Sequence, residues 1–427
     1  VNESSAIERE VLCKTLARHT GISLKAISDE LGSLLNERDH LRSKERQEAI
    51  ERISYNISKD PGNAEITLRE GLTSLVEISK KYDSDVLSAE SCLKEIKLNK
   101  EKEETIDPDV IGIKLCPDMK PFQDALMGEC RDTWGIVGGK ENHGKTAVFR
   151  KLMYSILSNN PDTICIYHTI DDSRAQLLPG LISIAEGSHL LTMNQIRFPR
   201  YFAGLIEQYS YLQDLNQRRE VGYNKILDLI QQGRLIIKDA TDGISVSFIE
   251  ALISYHQDKH PDKKLYYFLD NFHKLTDFRH LKDERIRFKT LSGSMKELMV
   301  RKHISGFSTA EYTKLPPGIE PNNHSCSETV QLAYDANFIA HIYSELADLP
   351  DKYTVCHWDN DWRGDRIAMP RIKVNIGKNK ISEVKSTFFM DFWPACSDFR
   401  WVDQETVARD QEIMRQERSS KGSPYSK

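Results

Sequence analysis

The sequence predicts an α/β protein in which a mostly parallel sheet is covered by helices, preceded by a small all-α N-terminal domain and linker helix. Three observations carry this. From about residue 110 onward, short β-rich runs alternate with helix-length segments, which demands crossover connections and therefore parallel strands. Before residue 97 the apolar residues recur at helical spacing instead. Between the two, KLNKEKEETIDPD (Lys97 to Asp109) offers little to bury and ends at a proline. The expected organisation is a helical domain at 1–96, a linker at 97–109, an α/β domain at 110–402 and a polar, disordered tail at 403–427.

In chain order, Ile7, Val11, Leu12 and Leu16 form one helical face. A break at Thr20, Gly21, Ile22 and Ser23 follows, and Leu24, Ile27, Leu31 and Leu34 form a second face. Ser23 suits the N-cap of that second helix because its hydroxyl accepts from an otherwise orphaned amide. A helix-break-helix also outlines a DNA-reading motif, although a plain packing unit is the simpler reading. The charged stretch 40–60 closes on the turn signal Asp60, Pro61, Gly62, and residues 64–96 continue as helix. Strands are expected at Trp134 to Gly138, Thr163 to Thr169, Leu235 to Lys238, Leu265 to Leu269, Ile304 to Ser308, Phe338 to Tyr343, Ile372 to Ile376 and Thr387 to Phe392.

Composition removes several function classes. A length of 427 residues allows two or three domains. With 59 basic against 64 acidic residues the net charge is -5, so any nucleic-acid surface must be a local basic lining. No apolar run approaches the roughly 18 residues of a membrane helix, which excludes a membrane span. The eight cysteines form no CxxC pair and read as reduced thiols in a cytoplasmic protein. The opening VNESSAIEREVL carries neither an initiator methionine nor an apolar signal core, and the chain is expected to be a fragment of a longer protein.

The strongest chemical signal is GKENHGKT, comprising Gly139, Lys140, Glu141, Asn142, His143, Gly144, Lys145 and Thr146. It fits G-x-x-x-x-G-K-[ST] between the apolar run ending at Val137 and a helix beginning near Ala147. Two glycines let the backbone curl its amides toward phosphate oxygens, and the helix N-terminus adds partial positive charge. Lys145 is expected to reach the β- and γ-phosphates of ATP, and the Thr146 hydroxyl to ligate Mg²⁺. Asp270, at the end of the apolar run Leu265 to Leu269, is the expected second metal-shell residue at the sheet edge. A water-activating group is expected at Asp171 or Asp172, after the strand ending near Ile170, and a γ-phosphate contact at Ser308 or Thr309.

Over roughly residues 110 to 400 these residues resemble the RecA-like motor of the DnaB family of replicative helicases. Collinear with the P-loop, IGIKLCPDMKPFQDAL resembles the family's lead-in and TIDDS stands where the family has its catalytic glutamate. LIIKDATDGIS, LYYFLDNFHKL, SETVQLAYDANFIAHIYSE and RIKVNIGKNK are similar to its later segments. The resemblance implies a RecA-like P-loop NTPase core, an ATP-dependent helicase, and a homo-oligomeric, hexameric ring around single-stranded DNA. It places Lys378 and Lys380 where the family's finger residues reach the nucleotide of the neighbouring subunit. It matches Phe278 to Arg301, with Arg279, Lys282, Arg285, Arg287 and Lys289, to a central DNA loop, for which a solvated helix face is the alternative. A second candidate DNA loop is Tyr312 to Ser327.

Three positions depart from the family pattern. Aspartate stands for glutamate at Asp171, Ser308 and Thr309 replace a serine-glutamine sensor, and Lys380 replaces an arginine that would make a forked contact. The N-terminal hairpin resembles the helical tail of bacterial toprim primases, which implies the helicase half of a primase-helicase in a bacterial or phage-infected cell, with a primase or helicase loader as partner. No toprim or zinc-ribbon signature is present, so no primer synthesis is expected from these residues. The departures keep a second reading open: a RecA-like ATPase serving as a nucleotide-gated DNA-binding scaffold or loader. A small-molecule P-loop kinase is third, since nothing resembles an acceptor-binding lid.

Overall fold

The computed structural model describes residues 113–126, 132–312, 315–323, 325, 330–350 and 355–420, with scattered residues between 23 and 100. Contacts divide the chain into units Val1–Thr105 and Ile106–Lys427. In the first unit residues 47–56 are helical, with Ala49 buried and Ile53 packed on Gly71. The expected hairpin at 6–35, apart from Ser23 and Lys25, most of the 97–109 linker, parts of the 312–327 loop and residues 421–427 lie outside the described residues.

The second unit is built on ten strands: β1 (Thr133–Gly139), β2 (Thr163–Thr169), β3 (Leu235–Asp239), β4 (Lys264–Asp270), β5 (Ser305–Glu311), β6 (Phe338–Ser344), β7 (Cys356–Asn360), β8 (Arg366–Asn379), β9 (Thr387–Trp393) and β10 (Asp398–Val402). Their order is β10-β9-β8-β6-β1-β5-β4-β2-β3, with β7 paired to β8. Every pairing from β6 to β3 is parallel. β1 and β2 are buried along their whole length, and burial on both faces is why they read as nearly continuous apolar runs.

The longer helices are α1 (Lys145–Asn159), α2 (Arg174–Glu186), α3 (Leu215–Gln231), α4 (Val246–Lys259), α5 (Glu284–Lys302) and α6 (Gln404–Ser420). Alternation along the strands divides the core. Val137, Tyr167 and Phe268 face a cluster with Phe149 of α1, Leu181 of α2 and Ile226 of α3. Their neighbours Ile136, Ile166 and Tyr267 face Ile249 of α4 and Leu291, Met295 and Leu298 of α5. The result is three layers, helices on both faces of one sheet.

Two features differ from expectation. From β6 outward the sheet is antiparallel, and β7 and β10 were not foreseen. The connections there shorten to hairpin length, as at Pro394–Cys396 between β9 and β10, and a short connection reverses the chain. The expected disordered tail is helical as far as Ser420. Val407 and Met414, two turns apart, are buried, and Asp410 accepts from Arg371 at 2.8 Å. Two apolar residues in a charged stretch are too faint a pattern to read from sequence.

Candidate nucleotide site

The loop Gly139–Thr146 joins β1 to α1 at the C-terminal edge of the parallel strands, where ligands of such sheets bind. Gly144 caps α1 with φ +88°, a left-handed conformation that a side chain disfavours. A Cβ there would also lie 3.1 Å from Phe399, whose ring stacks on Phe392 at 4.2 Å. The loop is thus seated on a stacked aromatic pair. The first-turn amides of an α-helix have no partner within it, so α1 presents donors and its positive end to this loop.

Lys145 Nζ donates to the Lys140 carbonyl at 2.6 Å, folding back over the loop. Burial lowers its pKa, against the opposing charges of Glu311, Asp270, Glu141 and Asp171 in that order. Lys140 is committed elsewhere: its Nζ pairs with Asp348 at 2.8 Å and donates to the Pro316 carbonyl at 2.9 Å. His143 is buried and its Nδ1 accepts from the Ser344 amide at 3.1 Å. Burial lowers its pKa to about 4, so at neutral pH it is an uncharged pin between the loop and the end of β6. Among the expected loop contacts, Lys140 and His143 therefore hold the loop with their side chains. Glu141 and Asn142 are exposed, and Ala147 is buried under α1.

Asp270 ends β4 and is buried. It accepts from Thr309 Oγ1 at 2.6 Å, from Tyr167 Oη at 3.0 Å and from the Thr146 hydroxyl. Burial raises its pKa, while these donors and the charge of Arg150 oppose the rise. Its peptide bond to Asn271 is cis. Thr146 and Asp270 thus bring a hydroxyl and a carboxylate to one point, both hard oxygen donors. Among the described residues no group of three His, Cys, Asp or Glu forms a self-contained metal cage. That donor set fits Mg²⁺, which takes one or two protein oxygens and completes its shell with phosphate and water.

Thr309 and Ser308, expected near the γ-phosphate, have other partners. Thr309 orients Asp270, and Ser308 donates to the Leu269 carbonyl at 3.1 Å. Of the two aspartates after β2, Asp172 is tied to the buried Arg150 at 3.0 Å and through its backbone to Thr169 Oγ1. Asp171 is exposed, with Lys274 at 3.4 Å. Tyr167, Arg150 and Glu311 were missed by sequence reasoning. For Glu311 a signal existed: on strand β5 it lies two residues beyond Thr309 and so on the same face.

Lys378 and Lys380 lie toward the opposite edge of the sheet within one subunit. Lys378 pairs with Ile339 near the start of β6, whereas Gly139 pairs with Ile342 near its end. Lys378 Nζ donates to the carbonyls of Ala333 and Tyr334, at the end of the short helix Val330–Asp335. Burial and the neighbouring Lys380 charge lower its pKa to about 8. Lys380 bonds Asn337 through its backbone and exposes its side chain.

The expected central DNA loop is largely helix α5, whose Phe288, Leu291 and Met295 are buried. Arg287 is removed from the candidate contacts: its guanidinium donates to the carbonyls of Asp277 and Leu275 and lies over the Phe288 ring at 4.9 Å. Arg279, Lys282, Arg285 and Lys289 are exposed. Asp283 caps α5 by accepting from the amides of Arg285 and Ile286, so that carboxylate is engaged by the helix end.

No family model and no curated protein matches this sequence. Solved structures do. The ATPase domain of a helicase, solved by itself, aligns with a TM-score of 0.59 at 16% identity, covering 75% of this chain and 100% of that one. A DnaB-like replicative helicase, described with its interactions with primase, aligns with a TM-score of 0.63 at 14% identity, covering 89% and 79%. At these identities the likeness is one of fold, and it is the three-layer motor fold of DnaB-like helicase ATPase domains that this chain adopts, with its P-loop at the sheet's C-terminal edge.

Proposed function

We propose that the chain is an ATP-dependent replicative DNA helicase motor that translocates on single-stranded DNA as a homo-oligomeric, hexameric ring. The observation that carries this reading is the hydrogen bond from Thr146 to Asp270 beside the Lys145 loop, within a DnaB-like fold. Thr146 and Asp270 would hold Mg²⁺, which supplies charge neutralisation on the phosphates. The amides of the loop and the α1 terminus bind phosphate oxygens, and Lys145 exchanges the Lys140 carbonyl for phosphate. Tyr167 and Thr309 keep the Asp270 carboxylate aimed at that point. A forked substrate tests the whole reading: release of the displaced strand with ATP and Mg²⁺, and none without, is the expected result.

A shared site explains why Lys380 faces away from its own P-loop. On this proposal Lys380 reaches the nucleotide of the neighbouring subunit, while Lys378 braces the helix end beside it. Doping Lys380→Ala chains into wild-type rings should lower turnover more than in proportion to their fraction; a linear decline would argue against sharing.

Arg279, Lys282, Arg285 and Lys289 remain the proposed DNA contacts, and Arg285 and Lys289 are four apart on one face of α5. The double change Arg285→Ala, Lys289→Ala should weaken binding to a labelled oligothymidine and reduce the slope of log affinity against log salt by about 1 to 2. An unchanged slope would remove this helix from the DNA path. Residues 1–96 are the proposed surface for a primase or loader, in the cytoplasm of a bacterial or phage-infected cell.

The second reading is a nucleotide-gated scaffold or loader, favoured by the engagement of Lys378 with backbone carbonyls and the exposure of the short Asp171 side chain. A scaffold would hydrolyse ATP or bind DNA and release no strand from the fork.

A further inference from the structure

We propose that Glu311 is a catalytic residue, the carboxylate that takes the proton from the water attacking the γ-phosphate. This rests on the ATPase reading and assigns the group that reading otherwise leaves to Asp171. The argument begins with strand register. β5 runs parallel to β1 and sets Glu311 opposite Gly139, the first residue of the P-loop. One residue on, the Tyr312 amide donates to the Gly139 carbonyl at 3.1 Å, stitching the two strand ends together at the mouth of the site. Because side chains alternate along a strand, Glu311 projects on the face of Thr309, whose hydroxyl touches Asp270. Glu311 therefore shares the face of the sheet on which Asp270 meets Thr146.

Availability separates it from the other carboxylates. Among the described residues Glu311 makes no hydrogen bond and no ion pair, and it is half-buried. Its charge is foremost among the four carboxylates acting on Lys145. Asp172 is held by Arg150, Asp270 by three donors, and Asp171 has a side chain 56% exposed beside Lys274. A base works by lying within reach of the proton it removes while retaining a free lone pair. Glu311 meets both conditions at the strand end nearest the loop. In the step, the water oxygen forms a bond to the γ-phosphorus as the bond to the β,γ-bridging oxygen breaks. The departing electron pair stays on ADP, and the water proton passes to the Glu311 carboxylate, which releases it to solvent with phosphate.

The test compares Glu311→Gln, Glu311→Asp and Asp171→Asn in the full chain with Mg-ATP and oligothymidine, reading kcat, affinity for a fluorescent ATP analogue and the thermal midpoint. Glu311→Gln should lose at least about 100-fold in kcat, the usual worth of a general base, with analogue affinity within about threefold and an unchanged midpoint. Glu311→Asp should fall between it and wild type, and Asp171→Asn should lose less than about tenfold. Turnover by Glu311→Gln near the wild-type rate would overturn the proposal. So would joint loss of binding and turnover, which marks a structural role, or an equal loss at Asp171→Asn. Failure of the wild-type chain to bind the analogue would instead sink the nucleotide reading beneath it, a result readily told apart from these.

Discussion

Lys145→Ala should lower ATP turnover by about 100- to 1,000-fold, the scale on which removing one preorganised donor to developing phosphate charge is felt. The fold should survive, because the side chain is only partly buried and its one hydrogen bond is to a carbonyl of its own loop. That bond gives the ammonium a local partner: Lys145 rests on Lys140 while four carboxylates hold its positive charge against burial. Lys140, by contrast, is tied to Asp348 and Pro316, so it cannot substitute for the missing ammonium without giving up that pair. Phosphate release measured beside a thermal scan checks both halves. Wild-type turnover in the variant would remove the assignment of the phosphate site.

The second large effect is on stability, at Asp398. This carboxylate is 1% exposed and lies 2.7 Å from Lys151 of α1 and 2.9 Å from His189, whose ring stacks on Trp393 at 3.9 Å. It joins the P-loop helix to the antiparallel end of the sheet. Asp398→Ala strands the Lys151 ammonium, itself nearly buried, with only the partly exposed Asp118 at 3.2 Å. Breaking one side of a buried pair costs about 3–5 kcal/mol, far more than the net worth of the pair. Adding Lys151→Met should recover part of the loss, because the two sites share one interaction. Denaturant midpoints of the single and double variants are the measurement, and an Asp398→Ala midpoint equal to wild type would contradict the account.

The same pair sets an acid limit. Burial pushes the Asp398 carboxyl up, but the His189 hydrogen bond and the Lys151 charge outweigh it and leave its pKa below the ordinary aspartate value. A folded-state pKa below the unfolded one stabilises the fold at every pH above the unfolded value of about 4. That contribution is lost as pH falls through the lower, folded value. The difference in midpoint between wild type and Asp398→Ala should therefore shrink below about pH 4.

Features that depend only on neighbours along the chain could be read from the residues themselves. The buried parallel strands were legible because burial on both faces leaves an unbroken apolar run, as in Ile164 to Tyr167 or Leu265 to Leu269. The P-loop was legible because glycines, lysine and threonine must stand at fixed offsets between a strand and a helix. The remainder emerged only on folding, because a side chain's availability depends on what reaches it from elsewhere. Asp171 and Asp172 are adjacent in sequence, yet Arg150 engages only the second. Thr309 and Arg287 looked like ligand contacts and are spent on Asp270 and on backbone carbonyls. Glu311 carried no motif at all until the register of β5 against β1 set it beside Gly139. Local spacing encodes which elements form; the packing of distant segments then settles which polar groups are left free to act.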